Sequence, residues 1–224
     1  MTSILVLGAT GRTGSAVLSN LPPDVTTIVA LRAPEDGARL PALKKPPARV
    51  RVDINDEISL RNALDTVEVV VNAIRLRGNI PTDGLVTLHD RILAAGRQAR
   101  GKAPRIVTVG GAGALRLPGG HRFWESPTFP HTTLPRGRAH AALRDHLETA
   151  HTGGEWAYLI PPPTYDPDGA ATGRWERSVP GPDESAFTRR AVSYADFGAA
   201  VADAATDNLN GTRLIAWPTP TRKS

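Results

Sequence analysis

Residues 4–18 read ILVLGATGRTGSAVL: an aliphatic run, then glycines and an arginine, then a segment with helical spacing. Gly8, Gly11 and Gly14 stand at G-x-x-G-x-x-G spacing. Between a strand and a helix, each glycine has a chemical reason. Gly8 permits the sharp turn out of the strand, and Gly11 lets backbone N–H groups approach a pyrophosphate. Gly14 lets the helix pack closely on the sheet, with its N-terminus toward the anion. Thr10, Arg12 and Thr13 complete the turn. No lysine follows the glycines, which excludes a P-loop. The stretch predicts a dinucleotide cradle that opens a βαβ unit.

Outward from this turn, short aliphatic runs alternate with helix-like segments. Strands are expected at 4–7, 25–31, 49–52, 67–73, 105–109, 156–160 and 213–216, and helices at 12–21, 57–66, 85–100, 138–150 and 194–206. Runs such as VEVVVNAI are continuously apolar rather than alternating, as in sheets covered on both faces. The expected architecture is α/β: one Rossmann-like domain over 1–224 with a doubly wound parallel sheet. Pro22-Pro23 must stop the first helix. Ser193 can cap the last, with Asp196 as a weak capping-box partner. Two Gly/Pro-rich segments, 110–135 and 161–192, resist assignment. Both follow the carboxyl ends of strands, where open α/β sheets bind ligands, and are expected to cover a substrate.

The end of the second strand selects the dinucleotide. An NAD site usually places Asp or Glu there, for the ribose 2′-hydroxyl. Here Leu31 is followed by Arg32, and Arg12 sits inside the glycine turn. Two guanidiniums suit a 2′-phosphate, so NADP(H) is the expected cofactor. Asp53, followed by Ile54, ends the third strand, where a carboxylate can accept from an adenine amino group. Asp56 is the better cap for the helix that follows. Asn72-Ala73-Ile74 ends the fourth strand, where small residues let backbone pass close to the cofactor.

Composition narrows the function classes. The 224 residues are 40% hydrophobic, with no low-complexity tract, repeat or apolar run long enough to span a membrane. Zero cysteines exclude disulfides, Cys-ligated zinc and thiol catalysis. The formal charge of +5 comes from a chain in which arginine supplies 23 of the 27 basic residues. Aromatics are only 5%, and no nucleic-acid-binding signature accompanies the charge. No basic n-region precedes the first apolar run, so a signal peptide is not expected. The default is a cytoplasmic protein, monomeric or homodimeric, acting on a small molecule without nucleic acid or membrane.

Taken in order, GATGRTG, ALR, VDINDEISLRNAL, VVVNAI, RIVTVGGAGAL, ESPTFP, EWAYLIPPP and VSYADFGAAVAD resemble the atypical short-chain dehydrogenase/reductases. The likeness is to the NAD(P)H-binding NmrA-like and biliverdin reductase B (flavin reductase)-like group, and it spans nearly the whole chain. It implies a Rossmann-type sheet with NADP(H) along its carboxyl edge and substrate under the two long loops. Gly110, Gly111, Pro161, Pro162, Pro163 and Thr164 would then flank the nicotinamide. The group includes reductases, epimerase-like proteins and redox-sensing regulators.

The catalyst common among short-chain dehydrogenases is missing. It pairs a tyrosine with a lysine four residues on, which lowers the phenol pKa, and adds a nearby serine. Four residues after Tyr158, Tyr165 and Tyr194 stand Pro162, Gly169 and Gly198. Gly110 and Gly111 occupy the serine's place. A planar conjugated acceptor such as a flavin or quinone tolerates this absence, because solvent can supply its protons. Phe123, Trp124 and Phe129 could stack on such an acceptor. His121 and His131 share their loop, and His131 and Tyr165 are weak candidates for a proton donor. His140, His146 and His151 are expected on the surface, in no metal-ligand spacing. The alternatives are an NADP(H)-sensing regulator without turnover, and an isomerase, dehydratase or cyclase on the same fold.

Overall fold

The computed structural model describes residues 2–150 and 153–219, so His151 lies outside the described residues. Its elements follow in order: β1 (Ser3–Leu7), α1 (Arg12–Asn20), β2 (Thr26–Leu31), β3 (Ala48–Arg51), α2 (Glu57–Ala63), β4 (Val69–Asn72) and α3 (Gly84–Arg100). The second half holds β5 (Arg105–Val109), α4 (Leu134–Thr149), β6 (Trp156–Ile160), β7 (Thr164–Asp166), β8 (Glu176–Ser178), β9 (Ala191–Ser193), α5 (Tyr194–Thr206) and β10 (Gly211–Ala216).

Eight strands form the main sheet in the order β3-β2-β1-β4-β5-β6-β10-β8. All pairings are parallel except β10 with β8. The chain runs outward from β1 to β3, then crosses back to β4 on the other side of β1. That reversal opens a crevice at the carboxyl edge, beside the glycine turn. This is the Rossmann-like single domain expected from the sequence.

The continuous apolar runs are explained by cover on both faces. Ile4 and Val6 of β1 join Val17 of α1 and Phe197 and Val201 of α5 in one core cluster. Leu5 and Leu7, alternating to the other face, join Leu60 of α2 with Leu88 and Ile92 of α3. A third cluster gathers Leu143 and Leu147 of α4 with Tyr158 and Ile160 of β6. α5 lies tightly on α1, for a Cβ on Gly198 would stand 2.4 Å from that of Ala16.

Local chemistry sets the boundaries. Asp56 caps α2, accepting from the backbone N–H of Ile58 at 2.9 Å and Ser59 at 3.3 Å. Ser193 caps α5 by accepting from Asp196 N–H at 3.0 Å. The expected reciprocal bond from Asp196 does not form. Its carboxylate, 1% exposed, accepts instead from Thr172 N–H and hydroxyl, Gly173 N–H and the Trp217 indole. α4 begins at Leu134, four residues before the expected start at 138. Pro135 lies in its first turn, where a missing N–H breaks no helical bond. Segment 110–135 winds into short 3-10 turns. Segment 161–192 contributes β8 and the small β7–β9 pair.

Candidate functional site

The glycine turn is built by backbone contacts that leave no space for side chains. Gly8 has φ +77°, and a Cβ there would stand 2.6 Å from the Ala73 carbonyl oxygen. A Cβ on Gly14 would stand 2.2 Å from the Gly8 oxygen. Gly11 donates to Gly8 O at 3.0 Å and precedes α1 with no side-chain cap. The first N–H groups of α1 thus lack a side-chain acceptor, the arrangement that receives a pyrophosphate. These residues fit a dinucleotide.

Beside the turn lies a cavity of about 380 Å³. Thr13, Ala73, Ile74, Gly110, Gly111, Pro161, Pro162, Pro163, Phe129 and Tyr165 are all on its wall. Gly8, Gly11 and Gly14 adjoin it in sequence through Thr13. Arg12 is exposed, its guanidinium 6.0 Å from the centroid of the Tyr194 ring. Asn72 is 2% exposed and turns its side-chain oxygen to accept from Ile74 N–H at 3.2 Å. Arg32 follows β2 and is exposed, as is Asp53 after β3. Asp53 accepts from Asn55 N–H at 2.9 Å, and Ile54 is half-buried beside it. Another depression, about 350 Å³, lies between α2 and α3 and carries none of the glycine turn.

Several residues expected around the substrate stand elsewhere. Phe123 meets Phe129 edge to face at 5.4 Å, yet it packs on the third core cluster rather than the cavity wall. Trp124 is off the wall too, with Arg138 stacked 5.0 Å above its ring. His121 is exposed, 3.8 Å from Glu125, and His131 is exposed in the turn before α4.

His140 corrects the surface assignment. It lines the cavity, with Nδ1 2.9 Å from the Tyr158 hydroxyl. Burial, then the charge of Arg136, lowers its pKa to about 4. The imidazole fills the space beside Gly111, where a Cβ would stand 2.5 Å from its Cδ2. A Cβ on Gly110 would stand 2.6 Å from Leu159 O. Close packing therefore leaves little room for a side chain at either glycine. His146 is half-buried and bonds Asp90 at 3.1 Å.

Tyr165 is pinned rather than free. Its hydroxyl lies 2.9 Å from Thr13 Oγ1, and its ring stacks on Tyr194 with centroids 3.8 Å apart. Burial pushes its pKa well above the ordinary phenol range, outweighing the Thr13 bond. Burial likewise raises Tyr158. Arg75, Arg136, His140 and Tyr194 also line the wall and are not among the expected site residues. Arg136 had a readable signal, a cation in the first turn of a helix leaving a long loop.

Among the described residues, no group of His, Asp and Glu could hold a metal ion. None of their helices is long and apolar enough to cross a membrane.

Comparison with known proteins agrees with this fold. A 105-residue stretch is 31% identical to the uncharacterized protein YwnB of Bacillus subtilis, spanning 46% of this chain and 48% of that one. The match thus covers about half the length of that relative. In fold, a Streptococcus pneumoniae protein titled as a candidate NADH-flavin reductase superposes with TM-score 0.74 at 20% identity, covering 97% of this chain and 100% of that one. A candidate epimerase from Bacteroides thetaiotaomicron gives 0.78 at 20% identity, covering 99% of both. Residues 8–208 match the NAD(P)H-binding family, and the chain belongs to it.

Proposed function

We propose that the protein is an NADPH-dependent reductase that delivers hydride to a flavin, quinone or similar planar conjugated acceptor. The observation that carries this reading is a cavity beside a dinucleotide turn whose His140 and Tyr165 side chains are poor acids near neutral pH. His140 is neutral, its pKa near 4. Tyr165 is raised by burial and tied to Thr13. Such a wall orients and desolvates an acceptor but has little protonating power, which suits an acceptor that takes its protons from water. The name of the Streptococcus pneumoniae neighbour supports the same class.

In this reading the α1 N-terminus and the turn Gly8–Gly14 receive the pyrophosphate. Arg12 and Arg32 hold the 2′-phosphate, and Asp53 meets the adenine. Gly110, Gly111 and Pro161–Pro163 flank the nicotinamide, which supplies the hydride when bound. Tyr165 and Phe129 form the apolar surface on which the acceptor lies.

Steady-state oxidation of NADPH and NADH, with menadione or FMN as acceptor, tests both halves. Turnover is expected, with at least tenfold preference for NADPH that Arg32→Ala largely removes. Cofactor binding without turnover would favour a sensor. Equal use of NADH would overturn the roles of Arg12 and Arg32.

A further inference from the structure

Among the described residues, six arginines hold a carboxylate within 4 Å. Arg116, Arg122, Arg144 and Arg190 each hold a carboxylate, on Glu148, Asp145, Glu184 and Glu176. The cavity gathers two cations without such a partner. Arg75, which follows β4, and Arg136, in the first turn of α4, both line it, and no Asp or Glu does. Among the described residues neither has a carboxylate within 4 Å, nor has nearby Arg77. Arg136 is half-buried, and its pKa is lowered first by that burial, then by the charge of Arg75, with Arg77 acting in the same direction. Like charges gathered at a cavity without counterions repel one another, and an arriving anion relieves the repulsion. Thr133, ahead of α4, makes no side-chain cap, so the dipole of that helix adds to the same field.

We infer that Arg75 and Arg136 form an oxyanion subsite in this cavity, which receives a phosphate or carboxylate carried by the substrate itself. The forked guanidinium matches either group bidentately. The subsite narrows the acceptor from any planar molecule to one with an anionic arm. Arg77 contributes charge from the rim. This inference rests on the cavity being the acceptor's site. It is distinct from the dinucleotide's own phosphates, assigned above to the α1 turn and Arg32.

The test is binding to the NADP⁺-loaded protein, read by quenching of flavin fluorescence for FMN and riboflavin. These share one ring system and differ by a phosphate. Anthraquinone-2-carboxylate and its carboxamide, read by quenching of protein tryptophan fluorescence, supply the carboxylate arm. At least one pair should show the anionic member bound tenfold or more tightly, and that pair identifies the group. Arg75→Gln should reduce the preference, and Arg75→Gln/Arg136→Gln should erase it, with NADPH affinity unchanged. No preference in either pair, or no binding, overturns the inference. So does a preference that survives the double variant, or an equal loss of NADPH affinity, which would give the arginines to the cofactor. Because the readout is binding, a selective site without turnover would refute the reductase reading and leave the subsite standing.

Discussion

Gly11 and Gly14 look alike in the sequence and do different work. A Cβ on Gly14 would stand 2.2 Å from the Gly8 oxygen and 2.8 Å from its carbonyl carbon. Both are backbone atoms and cannot swing aside. On Gly11 the nearest atom to a built Cβ is Gly8 O at 3.2 Å, and the backbone there is extended, at φ −81°. Gly14 protects the fold, whereas Gly11 keeps space open outside it. Gly14→Val should therefore give little folded protein. Gly11→Val should fold, with a thermal midpoint near the parent's, and lose NADPH binding in a fluorescence titration. A folded Gly11→Val protein with parental affinity would show that the turn is no cradle. His140 was illegible at this scale because it sits among the charged residues of RGRAHAALRDHLET. Its burial comes from Gly111 and Tyr158, which lie far from it in the chain.

The elements most legible in the sequence were those with a period or an apolar run. β5, β6 and α5 fall at their expected bounds, because continuous aliphatics and the Ser193 cap mark them. β7, β8 and β9 are three residues each, too short to carry a period, and only tertiary contacts make them strands. One buried network holds the two long segments that flank the cavity. Arg144 of α4, 0% exposed, donates to both Glu184 carboxylate oxygens, at 2.8 and 2.7 Å, and to Ala114 O at 2.8 Å. It reaches Glu148 at 2.9 Å, and Glu184 also accepts from Arg116 N–H at 2.8 Å. No local pattern could announce a pair 40 residues apart. Removing one partner strands a buried charge, so Glu184→Ala should cost about 3–5 kcal/mol in urea unfolding. Arg144→Met/Glu184→Leu should recover much of that loss, since apolar replacements leave no unpaired ion. A Glu184→Ala cost below about 1 kcal/mol would mean that the network is not what fixes these segments.

Across the whole molecule, the buried His89 and the half-buried His140 make stability depend on pH in a definite window. His89 of α3 is 1% exposed, and neither of its ring nitrogens has a hydrogen-bond partner. Burial lowers its pKa to about 4; Asp90 opposes that shift, and His146 adds to it. His140 is lowered to about 4 as well, by burial and then Arg136. In the unfolded chain both return to about 6.5. Between those limits the unfolded state binds more protons, so stability is complete above pH 6.5 and falls as pH drops toward 4. Glu148 and Asp196 have lowered pKa values, so their contributions are full above the ordinary carboxylate range and are lost as pH falls through it, at the lower end of this window and beyond. At pH 5 each histidine should have cost about 2 kcal/mol relative to pH 7.5. His89→Leu is the clean probe, because His89 makes no hydrogen bond that the substitution would break. Urea unfolding of this variant should show about half the parent's loss between pH 7.5 and 5, with stability at pH 5 at or above the parent's. Imidazole proton shifts followed by NMR should show a resonance titrating near 4 that vanishes with the substitution. Parallel stability curves for parent and variant would remove His89 as a source of the slope.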